Sequence, residues 1–135
     1  MAEIEEALKT RLLANTALTA LVSTRINADF IPPKTALPCV VFIKVSDVKD
    51  HTLTGQLELE HPVFQVSAYA STKSAARSVA NQIKASLLDF SGTLSGITVQ
   101  LIRLLNEMSS AETSGDGTQK IFVEDLEFEV FFVRS

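Results

Sequence analysis

The run Phe122-Val123-Glu124-Asp125-Leu126-Glu127-Phe128-Glu129-Val130-Phe131-Phe132-Val133 constrains the fold more than any other stretch of the chain. Phe122, Leu126, Phe128, Val130 and Phe132 fall on one side of an extended backbone, and Val123, Asp125, Glu127, Glu129 and Phe131 on the other. Side chains of a strand point alternately to its two faces, so this period of two predicts a β-strand over residues 119–133 with one buried and one acidic face. Residues 97–106 predict its partner strand. The intervening 108–118, MSSAETSGDGT, is rich in Ser, Thr, Gly and acid and reads as a mobile loop.

A second strand pair is predicted over residues 39–47 and 57–70. Cys39, Val40, Val41, Phe42, Ile43 and Val45 are strand-forming, and Leu57, Leu59, Phe64, Val66 and Ala68 recur at alternate positions. These runs form a long hairpin with a polar connection over 49–56. Pro62 lacks a backbone donor, which predicts an edge or a bulge near His61.

Helical spacing of Ile4, Ala7, Leu8 and Leu12 predicts an amphipathic helix over 3–15, with Glu3, Glu5 and Glu6 where the helix dipole favours negative charge. A short helical turn over 16–22 follows, capped by Asn15 or Thr16. An extended piece over 26–31 ends at Pro32-Pro33, which opens a loop to Pro38. A further helix is predicted over 72–90, with Ser71 as cap and Ala76, Val79, Ala80, Ile83 and Leu87 as its apolar stripe. The junction after it, DFSGTLSGITVQ, reads as a helix stop with glycine in the left-handed conformation. The fold class expected is α+β: an antiparallel sheet of two long hairpins with two main helices on one face.

At 135 residues the chain predicts one domain over 1–135, burying about two-thirds of the surface its unfolded form exposes. The single Cys39 forms no internal disulfide, fits a reducing compartment and, beside Val40, Val41 and Phe42, is expected to be buried. Apolar runs are too short for a spanning helix and the start MAEIEE is unlike a signal peptide, so a soluble protein made in the cytoplasm is expected, with no membrane partner. Net charge is −4, with twelve Lys and Arg scattered along the chain, which leaves no footprint for a sequence-reading nucleic-acid binder.

The chemical inventory is sparse. The order G-x-x-S-G in the junction is not the G-x-S-x-G of a nucleophile elbow, and its flanking elements run helix to strand. Ser46-Asp47-Val48-Lys49 matches S-x-x-K but sits at a strand end rather than a helix start. His51 and His61 lack the companions of a metal site and read as surface histidines. Acids at alternate strand positions read as a solvated face, and Gly115-Asp116-Gly117 has no lysine or helix behind it to cradle phosphate. No catalytic, cofactor-binding or metal-binding residues are expected, and the chain does not read as an enzyme.

Leu37-Pro38-Cys39-Val40-Val41-Phe42 with Val45-Ser46, then Phe64-Gln65-Val66-Ser67-Ala68-Tyr69-Ala70, then residues 76–88 and the junction, follow one another in an order that resembles the tail completion proteins of tailed bacteriophages and prophages. These are also called tail terminators or tail-to-head joining proteins. The likeness runs from the Glu6-Ala7-Leu8 helix to the closing strand, while Pro62 and the 108–118 loop depart from the pattern. It implies a subunit of a ring, usually a hexamer, at the head-proximal end of the tail tube, which stops tube growth and meets the head connector.

The residues themselves are compatible with that role. Val123, Phe131 and Val133 are apolar on the otherwise acidic side of the last strand, and with His51 and Leu53 at a hairpin tip they are the candidate contacts to a neighbour. If the acidic face and the loop line a channel, like-charge repulsion lets DNA pass without binding. Two other classes compete: a small intracellular interaction module acting by sheet-edge pairing, and a small-molecule binding or hydrolytic domain, for which no pocket-forming pattern is visible.

Overall fold

The alternating run lies inside the sheet, flanked by strands on both edges. The computed structural model describes residues 4–29, 36–46, 49–52, 55–88, 90–94, 96–113 and 120–134, with backbone alone at 49–52, 55–59, 94 and 134. The elements are α1 (Ile4–Leu13), α2 (Thr16–Val22), β1 (Ile26–Ala28), β2 (Cys39–Ser46), β3 (Lys49–Thr52), β4 (Gly55–Glu60), β5 (Val63–Ala70), α3 (Lys73–Leu87), β6 (Gly92–Leu94), β7 (Ile97–Thr113) and β8 (Lys120–Arg134). β7 pairs with β8 along its length, and the other edge of β8 takes β5 and then β4. β2 lies outside β5, and β1 outside β2.

The sheet is mixed rather than purely antiparallel, because β1 runs parallel to β2, with Ile26, Asn27 and Ala28 opposite Val40, Val41 and Phe42. Composition cannot reveal this: α2 carries the chain back alongside the sheet, and three residues add a parallel edge. Three helices pack with the sheet. α3 lies on β5 and β8, α1 meets β1, and α1 and α2 both contact α3.

One core forms between helices and sheet. Phe42, Phe64, Phe128 and Phe132 from the strands meet Ile4, Leu12, Leu18, Val79, Ile83 and Leu87 from the helices, all buried. Burying each such side chain contributes roughly 1.5–3 kcal/mol relative to leaving it in water. Asn15 joins the helices: its Oδ1 accepts from Ala17 N and Leu18 N as the cap of α2, and its Nδ2 donates to Ser86 Oγ at 2.7 Å and to Gln82 O at 3.2 Å on α3.

Several boundaries differ from the sequence reading. Thr72, not Ser71, caps α3, its Oγ1 accepting from Ala75 N at 3.1 Å. α3 ends on Leu88 in an extended conformation, so no left-handed glycine stops it. Instead Gly92 opens β6, which pairs with β7, and Gly96, at φ +82°, lies between those two strands. The polar connection at 49–56 is largely strand, since β3 and β4 extend the β2/β5 hairpin. Residues 108–113 are strand as well, paired from Met108↔Asp125 to Thr113↔Lys120; the rest of the expected loop, 114–118, lies outside the described residues. β4 and β5 are separated at His61 and Pro62, where Pro62 O accepts from Val130 N at 3.0 Å.

Candidate assembly surface

The sheet face turned away from the helices divides into two parts. In one part Cys39, Val41, Ser67 and Val123 are buried, so this face is not uniformly solvated. Ser67 Oγ donates to Asp125 Oδ1 at 2.5 Å, and Gln65 Nε2 donates to the same oxygen at 3.3 Å. Burial pushes the Cys39 thiol pKa above its ordinary value, with nearby Arg25 opposing the shift. The Tyr69 hydroxyl is raised too, first by burial and then by the charges of Asp125 and Glu112, against a hydrogen bond with Ser67.

The other part is built around Glu129. Arg103 lies opposite it on β7 and donates through Nε to Glu129 Oε1 at 2.9 Å, while His61 Nδ1 stands 3.2 Å from Oε2. The His61 ring stacks on Phe131, centroids 5.6 Å apart and 22° between planes, and the Arg103 guanidinium sits 5.7 Å from the Phe131 centroid. The interruption at Pro62 leaves His61 outside the ladder, beside β8. Arg103 and His61 thereby cover an aromatic ring that the sequence reading left open to a partner.

The candidate contact residues therefore fare differently. Val123 is only 5% exposed, between Tyr69 and Ser110 in the register, and has little surface left for a neighbour. Phe131 and Val133 are half-buried. His51 lies on β3, and Leu53 is outside the described residues. Among the described residues the large apolar side chains that are exposed are others: Leu21, Ile43, Val45, Leu101, Leu105 and Met108. A signal for three of them was present, since Leu101, Leu104, Leu105 and Met108 are too many apolar residues, too irregularly spaced, for one face of a strand.

On the helix side, a shallow groove of about 140 Å³ lies between the start of α3 and the β7/β8 hairpin, lined by Lys73, Ala76, Ser109, Ala111, Phe122 and Glu124 among others. Ser109 Oγ donates to Glu124, and Arg77 stands 3.8 Å from the same carboxylate. Beside it Lys84 and Glu107 form an ion pair at 2.6 Å. The Arg77 and Lys84 pairs join α3 to β8 and β7, while the Ser109 bond spans the β7/β8 ladder. Among the described residues no three of His, Cys, Asp and Glu come together as a metal site, and no helix is long and apolar enough to cross a membrane.

A solved structure described as the virion of a native gene transfer agent particle is similar, with TM-score 0.77 and 19% identity over 96% of this chain and 94% of that one. A second solved chain matches with TM-score 0.53 and 18% identity, over 94% of this chain and 92% of the other. At these identities the likeness is one of fold. No curated protein matches the sequence. Residues 6–130 match a protein family described as Tail completion protein gp17.

Proposed function

This chain belongs to the tail completion protein gp17 family, and on that premise we propose that it forms a ring at the head-proximal end of a phage-type tail. The family is one of structural virion components, which supports a structural role over an enzymatic one. In the proposed role the ring, a hexamer as the family resemblance implies, stops growth of the tail tube and offers its other face to the connector of the filled head. Its partners are copies of itself, the tail tube protein and the head connector.

The observation that carries this reading is the family match across residues 6–130. Phe131 and Val133, half-buried on β8, remain proposed contacts, as do His51 on β3 and Leu53, which lies outside the described residues. In the acidic row, Arg103 and His61 stand against Glu129, and Gln65 and Ser67 bond Asp125. A row tied up in this way, on a chain of net charge −4, would pass DNA through a ring without gripping it.

Sedimentation velocity tests the assembly, run on the chain alone and with the tail tube protein. The expected result is a ring-sized species, reduced by Phe131→Asp in a chain that stays folded. A chain that remains monomeric or dimeric in both conditions favours instead an interaction module that pairs by its sheet edge with another protein.

A further inference from the structure

We propose that neighbouring subunits join edge to edge: β7 of one copy, over residues 101–113, pairs antiparallel with the β2 and β3 edge of the next, so that the sheet continues across the contact. This rests on the ring reading and names the surface that closes it.

The first ground is where apolar surface remains. Of the six large hydrophobic residues exposed among the described ones, Leu101, Leu105 and Met108 lie on β7 and Ile43 and Val45 on β2. Only Leu21 lies elsewhere. Both strands are edges: β6 covers β7 only at Ile97–Val99, and β1 covers β2 only at Val40–Phe42, among the described residues. A long edge strand with unpaired backbone groups and apolar side chains is a template for another strand, and natural proteins blunt such edges unless they are used.

The second ground is direction. β2, β5, β8 and β7 alternate in direction, so β2 and β7 run opposite to each other at the two margins of the sheet. Copies set side by side in one orientation therefore bring β7 against β2 of the next as an antiparallel pair. The faces agree as well, because the register places Met108 level with Asp125, Ser67 and Val41, and Ile43 with Gln65 and Glu127, all on the face away from the helices. Ile43 of one copy and Met108 of the next then share a side.

The third ground is symmetry. A two-fold pairing of β7 with β7 would leave Ile43 and Val45 bare, whereas a head-to-tail contact covers both patches with one kind of interface and closes a ring. Register shifts at 99/101 and 104/106 bend β7, which leaves 106–113 as its regular stretch.

The test is cross-linking in the full chain with a short, flexible bismaleimide. Val45→Cys and Met108→Cys are placed together in one chain and separately in two, with the wild type as control because Cys39 is buried. The double variant is expected to give a ladder of covalent oligomers, each single variant alone none, and a mixture of the two singles a covalent dimer. Met108→Lys together with Leu101→Lys should raise the concentration needed for assembly by about tenfold or more, with an unchanged urea midpoint. Self-linking of the Met108→Cys variant overturns the proposal in favour of two-fold pairing. Ring-sized material by sedimentation without a ladder overturns it while leaving the ring intact. A chain that stays monomeric overturns both.

Discussion

Arg103 on β7 stands directly across from Glu129 on β8, its guanidinium reaching one carboxylate oxygen through Nε at 2.9 Å and Nη2 at 2.7 Å while His61 approaches the other at 3.2 Å. Both oxygens of Glu129 are thus engaged by residues that also cover Phe131. The pair fastens β7 to β8 beside the bulge at 104/106, where the ladder is otherwise interrupted.

The Arg103 side chain is 58% exposed, so its charge is largely screened by water. Arg103→Ala should lower stability by no more than about 1 kcal/mol in urea titration, less at high salt. A loss above about 3 kcal/mol would mean that the pair behaves as a buried one.

Asn15 and Thr72 both cap helices, but only Asn15 also bonds α3 through Gln82 and Ser86. Thr72→Ala should cost about 1 kcal/mol, the ordinary value of a cap. Asn15→Ala should cost about 2 kcal/mol or more, because Ser86, 3% exposed, loses a partner. Equal costs in denaturant titration would contradict the tie between α2 and α3.

Phe128 is fully buried, and Met108, on the neighbouring strand, is 51% exposed. Phe128→Ala should destabilise the fold by about 3–5 kcal/mol. Met108→Ala should change monomer stability by no more than about 0.5 kcal/mol, its effect appearing in assembly. Equal losses of stability would place Met108 in the core.

Legibility in the sequence followed the strength of periodicity. β8 alternates strictly over residues 126–130, so Leu126, Phe128, Val130 and, two further on, Phe132 could be assigned to the core, and the stripe of α3 was equally plain. β7 was legible only to residue 106, because Met108-Ser109-Ser110-Ala111-Glu112-Thr113 has little strand preference of its own. Pairing with β8 imposes the extended form there. Burial of Val123 was hidden for a related reason: a pattern assigns a face but not what flanks it, and Tyr69 stands next to it only once β5 is in register. The exposed edges at Val45 and Met108 depend on which strand ends the sheet, which is a property of topology.

Cys39 and Tyr69 both have pKa values raised by burial, so the folded chain holds these protons more tightly than the unfolded chain does. Their contribution is complete below the ordinary values of 9.0 and 10.0 and is lost as pH rises from there through the higher folded values. The urea midpoint should therefore fall as pH rises above 9.0, and fall less in Tyr69→Phe. Identical pH dependence in the variant would contradict the assignment to Tyr69.

The central claim is that this family member terminates and joins tails as a ring, and electron microscopy of particles produced with and without the chain tests it most directly. The account predicts tails of uniform length joined to heads when it is present, and tubes of uncontrolled length with unattached filled heads when it is absent. Normal, joined tails in its absence would contradict it.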